Sequence, residues 1–169
     1  DVANELKSDS LRSIYFSSPT SKSMPGYCNR LLHKFSRETN ARTCYHKGAT
    51  TDIAYRYVVK VKPAETHLWK FRLGADFAYG GEIYVDGDIV RNRKGMSMWW
   101  NLGWRNKDGV LSSPNRYLAA GEWHKIEFYG LTDREHATDG GSQVLEVNFG
   151  QGWLEVNKAN LAAGCAPKK

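Results

Sequence analysis

The sequence predicts an all-β fold, a two-sheet antiparallel sandwich of jelly-roll character. Three observations lead to this prediction. Apolar and polar residues alternate with a period of two through much of the chain after residue 52. Turn-forming pairs such as Asp86-Gly87 and Gly140-Gly141 separate the alternating runs. No long segment shows the period of an amphipathic helix, and no apolar run approaches the roughly 20 residues of a membrane span.

The beginning of the chain lacks this alternation. Residues 1–27 are expected to be irregular because Ser, Pro and Gly are frequent there, and residues 29–36 are expected to form a short helix. The fold class therefore includes a short irregular or helical N-terminal segment. We divide the chain into this segment at 1–27, a sandwich binding domain at 28–160 and a flexible tail at 161–169.

Alternating runs after residue 52 predict the strands of the sandwich. In the first run, Arg56 and Lys60 point away from the apolar odd-numbered positions, so one face is buried and the other is solvated. His124 falls on the apolar side of a later run, where a hydrogen-bonded core histidine is expected rather than a catalyst. The runs cover residues 53–61, 67–73, 83–85, 96–104, 124–128 and 145–149.

The run at 96–104 raises the question of an exposed tryptophan. Met96, Met98, Trp100, Leu102 and Trp104 share one predicted face, which leaves Trp99 on the other with Ser97 and Asn101. A tryptophan among small polar residues can stack on the apolar face of a sugar ring. If both faces of the strand are covered, Trp99 is instead part of the core, and the sequence leaves these two readings open.

The formal net charge of +6 is spread along the chain. Its densest cluster is Arg91, Arg93 and Lys94, whereas a nucleic-acid interface would gather many Lys and Arg side chains on one face. We therefore expect a solvated basic surface and no nucleic-acid partner.

Three cysteines, Cys28, Cys44 and Cys165, show no zinc-ligand spacing. One intramolecular disulfide and one free thiol are expected, because the first residue is Asp1 and the composition fits a processed secreted protein or an excised domain. The sequence leaves open which two cysteines pair. The expected location is secreted or at the cell surface.

Four segments resemble the protective-antigen-type domain, a β-sandwich family. They are Trp69-Lys-Phe-Arg-Leu-Gly-Ala-Asp76, Gly81-Glu-Ile-Tyr-Val-Asp-Gly87, Leu118-Ala-Ala-Gly-Glu-Trp-His-Lys-Ile-Glu-Phe-Tyr129 and Leu145-Glu-Val147. The turn Gly121-Glu-Trp-His124 is also similar to laminin-G-like jelly rolls. In those proteins, however, the Trp-His strand precedes the Tyr-Val-Asp-Gly hairpin, and here it follows, so the order favours the protective-antigen type.

This resemblance implies a carbohydrate-binding or adhesive module of secreted and surface proteins. In the fungal adhesin branch, two adjacent acidic residues joined by a cis peptide bind a calcium ion that contacts sugar hydroxyls. The matching position here is Asp76, between Ala75 and Phe77, so the acidic pair is missing. Calcium is therefore possible as a cofactor but is not favoured, and Asp76 is the only residue assigned to a metal. Its other reading is a turn-forming aspartate.

The loops at residues 76–80 and 132–141 are expected to carry the binding site, because long loops between packed strands commonly do so. For the second loop, a solvated hairpin connection is the other reading. The candidate ligand-binding residues are Asp76, Tyr79, Trp99, Asp133, His136 and Asp139.

The sequence thus predicts a recognition or adhesion module that binds a glycan or a surface protein. The alternative is a protein–protein assembly module without sugar binding. A small glycan-active enzyme is less favoured, because the chain has no Gly-x-Ser-x-Gly elbow and signals no pair of catalytic carboxylates. The oligomeric state is open.

Overall fold

The computed structural model describes most of the chain from residue 53 onward and three short strands before it. The described residues are 11–16, 28–31, 38–39, 53–105, 107–132 and 142–168; side chains are described only from residue 55 onward, excluding 132 and 142. These residues form twelve strands and one α-helix, and the strands build two antiparallel sheets. The predicted all-β sandwich is therefore confirmed.

The first sheet has six strands in the order β2-β1-β4-β10-β6-β7. Its central strands, β4 and β10, pair over nine residues each, from Ile53 opposite Thr132 to Val61 opposite His124. The strands are β1 (Leu11–Phe16), β2 (Cys28–Leu31), β4 (Ile53–Val61), β6 (Gly81–Val85), β7 (Asp88–Asn92) and β10 (His124–Thr132).

The second sheet has the order β12-β11-β5-β8, with β3 also paired to β11 and β9 also paired to β5. Phe71 of β5 lies opposite Val147 of β11 at its centre. The strands are β3 (Glu38–Thr39), β5 (His67–Gly74), β8 (Val110–Ser112), β9 (Arg116–Leu118), β11 (Ser142–Asn148) and β12 (Leu154–Glu155).

The core lies between the two sheets and consists of the apolar side chains that the alternation places inward. Trp69, Phe71 and Phe128 are almost completely buried, and the Phe71 and Phe128 rings meet edge to face across the sheets with centroids 6.4 Å apart. Because strand side chains alternate, the same strands present charged residues on their outer faces. The outer faces of the two sheets are therefore available for function.

Two predictions for the N-terminal part of the chain are wrong. Leu11–Phe16 is a strand inside the segment expected to be irregular, and Cys28–Leu31 is a strand at the start of the expected helix. Both strands add to an edge of the first sheet by pairing with β4 and with each other, so long-range pairing overrides the local signals.

The tail expected to be flexible contains most of helix α1 (Lys158–Cys165). The helix begins at Asn157, whose side chain accepts a hydrogen bond from the Asn160 backbone N–H (2.7 Å), and Leu161 is buried. Gly164 lies so close to the rings of Trp69 and Phe149 that a β-carbon would collide with them. The helix therefore covers one end of the core.

The prediction of a strand at residues 96–104 is also wrong. Among these residues only Met98 forms a bridge, to Phe77; Leu102 has a positive φ of 68°. The backbone N–H of Trp100 donates to a side chain, Oδ1 of Asp76, instead of to a neighbouring strand (2.6 Å). Met98 and Trp100 are buried as expected, but Met96 is exposed.

Cys165 is a free, partly buried thiol, and burial raises its pKa. A pairing of Cys165 with either other cysteine is therefore absent from the structure. The remaining possibility that the sequence left open, a pairing of Cys28 with Cys44, concerns side chains outside the described residues. Within the described part of the chain, no helix is long and apolar enough to cross a membrane.

Candidate functional site

A groove of about 490 Å³ lies on the outer face of the first sheet, over β6 and β10. We name it the tyrosine groove. Its aromatic lining residues are Tyr79, Tyr84, Tyr129 and the almost completely buried Tyr55. Its charged lining residues are Glu82, Glu127 and Lys94.

Two copies of the pattern Glu-apolar-Tyr create this face. The pattern occurs at 82–84 in β6 and at 127–129 in β10. The two strands are antiparallel, and their register places Glu82 opposite Tyr129 and Tyr84 opposite Glu127. The apolar middle residues point into the core, so both glutamates and both tyrosines share the outer face.

Each tyrosine in this arrangement donates a hydrogen bond to the glutamate two residues before it. The Tyr84 hydroxyl lies 2.7 Å from Glu82 Oε2, and the Tyr129 hydroxyl lies 2.8 Å from Glu127 Oε2. The two rings meet edge to face, 5.5 Å apart. The bond to Glu82 raises the pKa of Tyr84, and burial followed by the bond to Glu127 raises the pKa of Tyr129. Both hydroxyls therefore stay protonated at neutral pH.

Glu127 is the buried centre of the charged network, with 6% of its surface exposed. Arg56 of β4 donates two hydrogen bonds to Glu127 Oε2, at 2.9 and 2.6 Å, and Lys125 Nζ lies 3.1 Å from Oε1. Burial raises the pKa of Glu127, but the hydrogen bonds from Arg56, Tyr129 and Lys125 outweigh it, and the net shift is downward. Glu127 is thus held as a carboxylate.

The loop end of the groove is formed by Tyr79 and Gly80. Tyr79 N–H donates to the Leu131 carbonyl (3.1 Å), and Leu131 N–H donates back to the Gly80 carbonyl (3.1 Å), which continues β10 beyond β6. Gly80 has a φ of 75°, and a β-carbon there would collide with the Arg93 carbonyl, so glycine is required. Tyr79 is 54% exposed at the groove.

The predicted site residues have different outcomes. Tyr79 lies in the groove, and Trp99, 60% exposed, lies on the segment bridged to the loop of Tyr79. Asp133, His136 and Asp139 fall outside the described residues, although Leu131 at the groove lies two residues before the first of them. They remain predictions.

Asp76 is a buried residue whose carboxylate accepts a hydrogen bond from the backbone. It is only 6% exposed, and its Oδ1 accepts the Trp100 backbone N–H. Ala75 and Phe77 on either side are fully buried, and the described backbone contains no cis peptide bond. Nor do the described residues include a group of three or more His, Cys, Asp or Glu side chains that could hold a metal ion. The hydrogen bond from Trp100 to Asp76 is a long-range one, from a backbone donor 24 residues away and not from within its own turn, and the role of Asp76 as a ligand residue stays a prediction.

His124 lies at the opposite end of β10 and is part of a structural pair. Its Nδ1 is 2.7 Å from Asp86 Oδ2, and its Nε2 is 2.9 Å from the Ala119 carbonyl. Burial lowers the pKa of His124, but the hydrogen bonds to Asp86 and to the Ala119 carbonyl outweigh it, so the pKa is raised. Asp86 and Gly87 both have positive φ, as the predicted hairpin turn requires. The pair closes this hairpin onto β10.

Sequence reasoning missed Arg56, Glu82, Tyr84, Glu127 and Tyr129 as a group. The period-two alternation already placed Arg56 and Glu127 on outer faces, and the repeated Glu-apolar-Tyr pattern was visible in the sequence. The sequence did not show that the two copies pair with each other.

Comparisons with known proteins identify the fold. No family model and no curated protein sequence matches the chain. Among solved structures, it is similar to the PA14 domain of the antifreeze protein MpAFP, with a TM-score of 0.58 and 12% identity. That alignment covers 89% of this chain and 88% of the other. The fold is that of a protective-antigen-type domain.

The same protective-antigen-type fold occurs inside larger proteins. An anti-sigma factor domain-containing protein matches with a TM-score of 0.59 and 15% identity over 90% of this chain and 47% of the other. A β-glucosidase from Kluyveromyces marxianus, solved with glucose, matches with a TM-score of 0.55 and 12% identity over 90% of this chain and 17% of its own. The chain thus spans about half of the first protein and less than a fifth of the second. At these identities the similarity shows the fold alone.

Proposed function

We propose that this domain is a carbohydrate-recognition module of a secreted or surface protein, and that its ligand occupies the tyrosine groove. The observation that carries the proposal is the concave aromatic and acidic surface made by the two Glu-apolar-Tyr triplets. A volume of about 490 Å³ is within the range of roughly 300–1,000 Å³ common for small-ligand sites. The resemblance to carbohydrate-binding protective-antigen-type domains supports the same class of ligand.

The chemistry of the groove suits a neutral sugar. The exposed Tyr79 ring and the half-buried Tyr84 and Tyr129 rings offer apolar surface for the C–H face of a pyranose, and their hydroxyls can exchange hydrogen bonds with sugar hydroxyls. Glu82 offers a further acceptor beside Tyr84. Lys94 at the rim offers a donor.

The end-loop residues extend this proposal. Trp99 would provide a second stacking surface, and Asp133, His136 and Asp139 would contact the outer part of a longer glycan. Their support is that Tyr79 and Leu131, at the groove, lie in or next to the same two loops. We propose binding without calcium, because the acidic pair is missing and the Asp76 carboxylate is buried and accepts the Trp100 backbone N–H.

We favour binding over glycoside hydrolysis. A hydrolase needs one carboxyl group that keeps a proton near neutral pH, which requires a raised pKa. Glu127 has the opposite shift, because three donors surround its carboxylate. It is suited to orienting Arg56 and Tyr129.

An assembly module is the second candidate, favoured by one apolar surface away from the groove. Leu68 and Tyr117 are paired on neighbouring strands, and their side chains are 39% and 72% exposed. A protein partner would cover this surface and leave the tyrosine groove open.

A glycan array with and without a calcium chelator tests the first proposal. We expect a set of neutral glycans to bind equally well in both conditions. Tyr84→Ala and Tyr129→Ala should abolish the signal, whereas the matched control Tyr117→Ala should keep it. Binding that survives both groove variants would refute the proposed site, and an empty array would favour assembly.

A further inference from the structure

A second groove, of about 580 Å³, lies on the outer face of the second sheet and is strongly basic. We name it the basic groove. Among the described residues that line it, one is acidic, Asp108. The basic ones are Lys70, Arg72, Arg91, Arg93 and Lys107. The even spread of positive charge expected from the sequence therefore does not hold on this face.

The basic groove forms where the β7 edge of the first sheet meets the β8 edge of the second sheet. Arg91 of β7 donates from Nε to the Ser112 carbonyl of β8 (2.7 Å). Arg93 donates from Nη1 to the carbonyls of Lys107 (2.6 Å) and Val110 (3.2 Å). Carbonyl acceptors carry no net charge, so these contacts fix both guanidinium groups in place without neutralising them.

Arg72 is held differently, between two tryptophans. Its guanidinium carbon lies 3.9 Å from the ring centre of Trp104 and 4.2 Å from that of Trp153, and it forms an ion pair with Glu146. Trp104 also packs against Trp100, with ring centres 4.9 Å apart. Trp104 and Trp153 thus each already pack a ring face against the Arg72 guanidinium.

We infer that the basic groove binds a polyanionic polysaccharide, a sulfated or carboxylated glycan chain. The first reason is charge complementarity: four cationic side chains besides Arg72 converge on one concave surface. The second is size, because a single sulfate or phosphate ion would fill only a small part of about 580 Å³. This site is separate from the tyrosine groove and does not depend on the proposed function.

The contacts of Trp104 and Trp153 favour a glycan over a nucleic acid as the ligand of the basic groove. Proteins that bind single-stranded nucleic acid combine a basic groove with aromatic faces on which bases stack. Here the Trp104 and Trp153 faces nearest the cations hold Arg72. A chain of sulfated or carboxylated sugars needs no stacking platform, so it fits this groove better.

Heparin is the test probe, with the whole chain and a fluorescence or calorimetric titration at about 150 mM salt. The triple variant Lys70→Gln, Arg91→Gln, Lys107→Gln should bind at least about tenfold more weakly, with a shallower salt dependence, because fewer counterions are released. Arg93 is left intact because it bonds two backbone carbonyls, those of Lys107 and Val110, whereas Arg91 bonds one, that of Ser112.

The matched control removes the same charge elsewhere. Lys62, Lys158 and Lys168 are exposed, and changing all three to Gln also lowers the formal net charge from +6 to +3. We expect this control to lose less than about twofold in affinity. Thermal unfolding of both triple variants checks that they fold equally well.

Three results would overturn the inference. They are no heparin binding by the native chain, an equal loss in both triple variants, and tighter binding of a single-stranded oligonucleotide than of heparin at the same salt. Heparin binding should also survive Tyr84→Ala, so that failure of this inference and failure of the tyrosine groove are distinguishable.

Discussion

Replacing Glu127 by Gln tests the charged network that supports the tyrosine groove. Glutamine keeps the shape of the side chain but removes its charge. Arg56, Tyr129 and Lys125 then lose a common ionised acceptor. Tyr129 would then donate at best to an uncharged amide oxygen, and Arg56 would lose its ion pair.

The expected loss of stability follows from the burial of the two ion-pair partners, Glu127 and Arg56. A hydrogen bond to a charged group contributes about 1.5–3 kcal/mol, and Glu127 accepts several of them while 7% of its side chain is exposed. The Arg56 side chain is 25% exposed and can recover hydration, which reduces the loss. We therefore expect the free energy of unfolding to fall by about 2–4 kcal/mol. For a chain of this length that corresponds to roughly 5–15 °C in melting temperature.

Chemical denaturation at two pH values provides the assay. The folded pKa of Glu127 is lowered, so its stabilisation is present above the ordinary glutamate value of about 4.3 and is lost as the pH falls through the folded value. The native chain and Glu127→Gln should therefore differ at pH 7, and the difference should shrink as the pH falls below the ordinary glutamate value and through the folded one. Glu122→Gln, an exposed control with the same change of charge, should differ from the native chain by less than about 0.5 kcal/mol. A Glu127→Gln loss as small as that of the control would refute the reasoning.

The remaining predictions concern other parts of the fold. His124 has acceptors at both ring nitrogens, so its folded pKa is raised; its stabilisation is complete below the ordinary value of about 6.5 and is lost as the pH rises through the folded value. Stability measured from pH 5 to 9 should fall over this window in the native chain and much less in Asp86→Asn. Phe71→Ala should cost about 3–5 kcal/mol, because it empties a fully enclosed site, and Lys70→Ala should cost under about 0.5 kcal/mol; equal shifts of the two denaturation midpoints would contradict the strand register. Calcium titrated by calorimetry should give weak binding or no heat, and micromolar affinity that vanishes in Asp76→Ala would restore a calcium-dependent lectin.

The strands of the sandwich could be predicted because their signal is local. At Tyr55, Tyr57 and Val59 the inward face is apolar, and the structure buries all three. The Asp86-Gly87 turn was equally predictable, since Asp-Gly favours a type I′ hairpin loop, in which both central residues have positive φ. The same logic failed at 96–104, where Asp76 binds the Trp100 backbone N–H and prevents strand pairing. The sequence gives no sign of that contact because its two partners are 24 residues apart.

The candidate sites depend on contacts of this long-range kind. Alternation alone determined that Glu127 and Lys70 point outward from a sandwich core, because the side-chain period of a strand is fixed by backbone geometry. Only the tertiary structure decided that Tyr84 lies opposite Glu127 and that Arg91 reaches the edge of the other sheet at Ser112. Sheet order and register are set by packing between residues far apart in the chain, so they bring together side chains that the sequence shows only as separate.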